Sequence, residues 1–233
     1  ILVNIVTSLG AVLLPRTSYY VEMKMEREFC TVSGKALEFV AVLSIPLTVS
    51  FTIMAKQCIL LLSGNAYLPS VIPMCIIMPT LILIGASNVF GVQMLVPLGK
   101  ETIVLYSECA GAVADIILNA VFIPRYGASG AAFGTLVAEA VVLVVQAAAL
   151  KNMAWEIIKK VEVWKILPAA ALSGAAMVFI KNKVNMPVFP VLVICFSVFF
   201  SIYGILLLGM KERILMELLR TAAKRLKQKE REE

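Results

Sequence analysis

The sequence predicts an all-α protein, a polytopic transmembrane helix bundle with seven spans. Three observations predict it. Apolar runs occupy Ile1–Leu14, Leu37–Leu62, Val71–Val96, Ile103–Ile123, Ala128–Leu150, Ile166–Ile180 and Val188–Leu208. Most reach the roughly 17–25 residues that a helix needs to cross a hydrocarbon core of about 30 Å. Hydrophobic residues make up 61% of the chain and charged residues only 15%, against about 25% charged in soluble domains. Lys and Arg are sorted between the gaps. Seventeen fall in Pro15–Ala36, Pro97–Thr102, Lys151–Lys165 and Gly209–Glu233, and three in the gaps between those. Cytoplasmic loops keep that excess. The chain should therefore lie in a cell membrane, its first run starting outside and its last ending in the cytoplasm.

Each element follows in order. Ile1–Leu14 is short for a crossing, and no basic flank marks it as a signal peptide. It reads as the inner part of a helix that starts upstream, so the chain is expected to be a C-terminal fragment of a longer membrane protein. Ser18–Lys35 is polar and helix-compatible. The second run carries Lys56 and is interrupted by Pro46; Pro73, Pro79, Gly85 and Gly91 punctuate the third. Exposed backbone in lipid costs several kcal/mol, so such breaks face protein or a wet cavity, and transporters place broken helices near substrate. The fifth run opens on Gly127, Gly130 and Gly134, a spacing that permits close helix contact. Lys151–Lys165 mixes Lys with Trp155 and Trp164, which suit the headgroup level. The sixth run holds Pro168 and Gly174. From Lys211 on, Leu215, Leu218, Leu219, Ala222 and Leu226 recur at helical spacing among cations, as in a basic helix lying on the inner leaflet.

Several classes are excluded or disfavoured. The net charge of +6 sits in the predicted cytoplasmic gaps and tail, where anionic lipid attracts it; no basic aromatic patch for nucleic acid exists. Cys30, Cys58, Cys75, Cys109 and Cys195 match neither a disulfide framework nor a metal pattern, and they read as small buried hydrophobes. Histidine is absent, which removes the commonest general base and metal ligand. No cofactor is expected.

Charges inside the spans are the candidate chemistry. Glu108, Asp115 and Asn119 share one face of the fourth span. Asp115 lies about 18 Å from the inner end and Glu139 about 17 Å from the outer end of the antiparallel fifth span, by the helix rise. Both then sit within about 5 Å of one depth in a core about 30 Å thick. Each costs on the order of 2.5–3.5 kcal/mol to insert at a helix centre. They can bind a proton or Na⁺, balance a cation such as Lys56, bond sugar hydroxyls, or glue helices together. Asn88 and Gln93 in the third span can each donate and accept hydrogen bonds, toward a glycan or toward a neighbouring helix. Lys56 can snorkel to the outer surface. Arg16 either marks the cytoplasmic boundary or meets phosphate at a cavity mouth, where its planar fork suits the anion.

Four segments, in order, carry a family resemblance: LPRTSY at Leu14–Tyr19, LSGNAYLP at Leu62–Pro69, SNVFGVQMLVPLGKE at Ser87–Glu101, and NAVFIPRYGASGAAFGTLVAE at Asn119–Glu139. The series resembles the C-terminal half of polysaccharide-biosynthesis flippases, in the multidrug, oligosaccharidyl-lipid and polysaccharide exporter superfamily. The resemblance implies the second lobe of a MATE-like, fourteen-helix fold. Residues 1–150 would supply five spans of that lobe, the first truncated; residues 151–208 an interfacial segment and two extra helices; residues 209–233 the cytoplasmic tail. The missing N-terminal lobe, the lipid bilayer and a polyprenyl-pyrophosphate-linked glycan are the implied partners. The implied act is flipping that glycan to the outer leaflet, with Arg16 for pyrophosphate, Asn88, Gln93 and Asn119 for sugar, and Glu139 for H⁺ or Na⁺ coupling. Asp115 belongs to no motif of the family; its candidacy for ion coupling rests on burial cost alone.

A cation-coupled multidrug antiporter of the same superfamily is the alternative. A seven-helix photoreceptor is disfavoured because Val188–Leu208 has no Lys for a Schiff base. An intramembrane enzyme is disfavoured because nucleophilic hydrolysis normally needs a base beside the nucleophile and no histidine exists.

Overall fold

A computed structural model describes residues 1–184 and 186–216, with residues 9–12 as backbone only. Among the described residues every regular element is helical. The order is α1 (Leu2–Glu22), α2 (Glu26–Ile53), α3 (Ala55–Leu62), a 3₁₀ turn (Asn65–Ser70), α4 (Val71–Ile77), α5 (Thr80–Asn88), a π-helical turn (Val89–Leu95), α6 (Glu101–Tyr126), α7 (Ala128–Leu150), α8 (Asn152–Lys160), α9 (Val163–Lys183) and α10 (Val188–Gly209). Most of the expected basic tail helix lies outside the described residues.

Five helices are long and apolar enough to cross a membrane: α2, α6, α7, α9 and α10. The pair formed by residues 65–77 and 80–95 passes the same test together but is bent by 42°, making six if it is one span. The chain is thus a multi-pass helical bundle by length and composition.

The elements depart from the apolar runs where local chemistry overrides composition. Helix α1 runs past Pro15 to Glu22. Its hydroxyls fold back onto its own carbonyls, Thr7 onto Val3 and Thr17 onto Leu14, so they carry no unmet donor into an apolar helix. Helix α2 starts well before Leu37, with Glu26 and Glu28 in its first turn, where the helix dipole favours negative charge. The polar stretch Ser18–Lys35 is therefore the end of one long helix and the start of the next. A three-residue turn joins them, and Lys24 there has φ of 56°.

Helix α2 is the hub. It packs on α1, α5, α8, α9 and α10. Phe29, Val40, Met54, Leu81, Val89, Phe90, Met94, Leu95, Ile157, Ile166, Met177 and Phe199 form one continuous buried cluster between these elements. The α6–α7 hairpin stands at the flank. Helix α6 packs mainly on α7, and only 11% of its apolar stretch is buried.

The breaks are satisfied by side chains from neighbours, as a low-dielectric surrounding requires. Thr48 of α2 donates to the Met78 carbonyl beside Pro79 (3.2 Å). Lys181 of α9 donates to the Ile53 carbonyl where α2 gives way to α3 (2.8 Å). Glycine matters at Gly127, whose φ of +54° makes the α6–α7 corner.

Candidate functional site: a polar seam along α6 and α7

The seam begins with missing side chains. A Cβ on Gly130 would lie 2.5 Å from the Phe122 carbonyl oxygen, and one on Gly111 would lie 2.5 Å from Val142 Cγ2. At Gly134 it would lie 2.5 Å from Asn119 Oδ1 and 3.2 Å from Asp115 Oδ1. The two helices therefore approach closely along their whole shared length. Asp115 and Asn119 lie directly on the bare backbone of α7.

Asn119 Nδ2 donates to Asp115 Oδ2 at 3.0 Å. Their remaining oxygens, Asp115 Oδ1 and Asn119 Oδ1, are buried with no hydrogen-bond partner among the described residues. Glu139 is half-buried on the facing helix, within the electrostatic reach of both Asp115 and Glu108. Glu108 is exposed. The structure thus brings together Asp115, Asn119 and Glu139. Lys56 is exposed on α3 and forms no ion pair with any of them among the described residues. A half-buried acid in an apolar span, with no cation paired to it among the described residues, is a place for a proton, a metal cation or a polar substrate.

A second group of amides lies deeper. Gln93, in the π turn, is 1% exposed; its Nε2 donates to Asn88 Oδ1 at 3.5 Å, and its Oε1 has no partner among the described residues. Gln146 of α7 is equally buried. Its Nε2 donates to Ser107 Oγ at 3.0 Å, and Ser107 in turn donates to the Val104 carbonyl. Gly91 makes room, since a Cβ there would lie 3.0 Å from Gln146 Nε2. The π turn widens the helix, with the Val96 N–H bonded to the Gly91 carbonyl five residues back, and sets the bare Gly91 against Gln146 of α7. Such π turns occur frequently at functional sites.

Gln146 and Ser107 escaped the sequence reading. The signal was an amide near the end of an otherwise apolar run. Arg16 stands apart from the seam. It is exposed on α1; its Nε donates to the Tyr20 hydroxyl at 3.1 Å, and its guanidinium sits 5.7 Å from the Tyr20 ring centre. The predicted site residues therefore fall into three places: Asp115, Asn119 and Glu139 between α6 and α7; Asn88 and Gln93 at the π turn; Arg16 on α1.

The seam can hydrogen-bond a polyhydroxy compound through its amides and hold a positive charge at its carboxylates. No protein family, curated protein or solved structure matches this chain.

Proposed function

We propose that this chain works as the second lobe of a membrane transporter that flips a polyprenyl-pyrophosphate-linked oligosaccharide across a bacterial plasma membrane. One observation carries the reading. Unpaired polar oxygens of Asp115 and Asn119, with Glu139 opposite, occupy two helices of membrane-crossing apolarity. Groups that costly to insert earn their place when something polar passes. The ordered series of segments that resembles the flippases supports the glycan as cargo.

In this proposal α1 crosses the membrane as well, giving seven spans and a cytoplasmic C-terminus. Sugar and pyrophosphate lose hydration on entering hydrocarbon, and the seam replaces part of that hydration while the lipid tail stays in the bilayer. Asn88, Gln93 and Asn119 contact sugar. Asp115 and Glu139 carry H⁺ or Na⁺. Arg16 meets the pyrophosphate. A first lobe closes the path, and the two lobes rock to expose it to each leaflet in turn. No bond is made or broken, so the chain acts as a transporter and not as an enzyme.

Deleting the gene and measuring surface polysaccharide tests the reading. Loss of surface glycan, with lipid-linked precursor retained on the inner leaflet, is expected. Unchanged glycan with new sensitivity to cationic drugs would overturn it in favour of the antiporter, which the unpaired acids would also serve.

A further inference from the structure

Helix α8 has two apolar faces, and among the described residues the bundle covers only one of them. Ala154, Ile157 and Val161 are buried, where α8 packs on α2 and α7. Ile157 reaches toward Gly34 of α2, where a Cβ would lie 3.9 Å from Ile157 Cγ2. Trp155, 59% exposed, and Ile158 make the second face. Asn152, Glu156 and Lys160 are exposed as well and form a third, polar face. At 3.6 residues per turn, the Trp155–Ile158 face lies about 100° round the helix from the buried one. The polar face lies about 130° from each. A helix between protein and water needs one apolar stripe. A second stripe calls for a second apolar medium.

Position in the fold supplies that medium. Helix α7, which ends at Leu150, and α9, which starts at Val163, are each long and apolar enough to cross a membrane. The nine residues of α8 therefore lie where two crossings end, at a membrane surface. Trp164 and Leu167, at the start of α9, are exposed too and carry apolar surface on into that span. Indole rings favour the headgroup level.

Charge selects the lipid. Lys151 precedes α8 and Lys159 stands in its last turn, both exposed. By the helix rise they are about 12 Å apart along the axis, with Trp155 midway. Lys159 Nζ lies 5.0 Å from the Trp155 ring centre. An ammonium has three N–H donors, so one held over the ring still has donors for a phosphate. Lysine stems also cover apolar surface while their heads stay in polar surroundings. Lys165 does not join them, because its Nζ is bound to Glu162 at 2.6 Å.

We propose that α8 lies in the membrane surface and binds anionic phospholipid headgroups. Trp155 and Ile158 enter between the lipids, and Lys151 and Lys159 meet the phosphates. The site uses the membrane-crossing character of α7 and α9 and not the transport reading; a chain that moves no glycan would leave it intact.

Trp155 and Trp164 are the chain's two tryptophans, so Trp164→Phe leaves Trp155 as the sole indole. The full chain with that change is reconstituted into bilayers of equal parts phosphatidylcholine and phosphatidylglycerol. One lipid or the other is supplied brominated near the top of its acyl chains, and quenching of Trp155 emission is measured. Both should quench, and brominated phosphatidylglycerol should do so about two- to fivefold more strongly. Lys159→Gln and Lys151→Asn should each bring that ratio toward one; asparagine tolerates the φ of 52° at position 151. The chain's other cations are the same in every variant, so a ratio set by them would not move. If one variant does not fold, the other decides. Quenching of Trp155 by aqueous iodide but by neither lipid would overturn the proposal, because the face would then meet water. Quenching by none of the three would overturn it in favour of a protein cover. A ratio of one in the starting chain, or a raised ratio unchanged in the variants, would also overturn it.

Discussion

The Tyr203 hydroxyl donates a 2.9 Å hydrogen bond to the carbonyl of Val42, 161 residues away. Val42 lies four residues before Pro46, inside α2. Proline has no N–H, so the carbonyl four residues back loses its helical partner. The phenol from α10 supplies what the proline removed, and Tyr203 is itself only 5% exposed. A break in one span is thereby tied to the packing of another.

Replacing Tyr203 by Phe keeps the ring and leaves the Val42 carbonyl unmet. An unsatisfied buried acceptor costs about 1–3 kcal/mol, and a fall in the unfolding midpoint of the purified chain measures it. Pro46→Ala in the same background restores an N–H for that carbonyl and should recover much of the loss. Equal destabilisation with and without Pro46 would show that the bond is incidental.

Gly130 and Gly134 should respond differently to alanine. The Cβ at Gly130 meets the backbone oxygen of Phe122, whereas the one at Gly134 meets the end of the Asn119 side chain. A side chain can swing aside and a helix backbone cannot. Overpacking of this kind costs typically about 1–3 kcal/mol, so Gly130→Ala should approach the upper end and Gly134→Ala the lower. Parallel melts of the two variants check the order.

Asp115→Asn and Glu139→Gln should separate folding from function. At position 115 an amide oxygen still accepts from Asn119 Nδ2, so the unfolding free energy should stay within about 1 kcal/mol of wild type. Under the proposed function, glycan export should nevertheless fall and its dependence on an H⁺ or Na⁺ gradient should be lost. Export assays in cells carrying each variant, with the gradients collapsed one at a time, provide the readout.

Arg16→Lys keeps the charge and removes the planar fork. Arg16 is exposed and, among the described residues, bonds only to Tyr20 in the same helix, so stability should hardly change. Export should fall if the side chain meets pyrophosphate. Normal export by Arg16→Lys and Arg16→Ala alike would return this residue to the role of a boundary marker.

What the sequence made legible is what composition and local chemistry dictate. The runs from Ile103, Ala128, Ile166 and Val188 correspond closely to α6, α7, α9 and α10, because each is apolar at bilayer length and closed by charge or turn residues. The Pro79 break was visible because proline has a local effect. Helix α1 was less legible, since Pro15 and Arg16 imitate a boundary while the helix runs on to Glu22. Asp115 and Glu139 were visible as costly residues, and their mutual approach followed from the antiparallel depths of two adjacent spans. The convergence of Glu38, Glu162 and Glu212, whose carboxylate oxygens lie within 4.8 Å of one another, was not. It depends on the register between helices far apart in the chain, which no linear pattern encodes. Glu38 alone, one acid at the start of an apolar run, gave no hint of the other two.

The central claim is a chain woven through a membrane with its basic gaps on one side. Single cysteines at Asn65, Lys183, Arg27 and Lys159, all exposed positions, in a background with the native cysteines replaced, test it directly with a membrane-impermeant thiol reagent on intact cells. The account predicts labelling at Asn65 and Lys183 in intact cells, and at Arg27 and Lys159 only after the membrane is opened. Labelling of Arg27 or Lys159 in intact cells, or recovery of the chain in the soluble fraction, would contradict it.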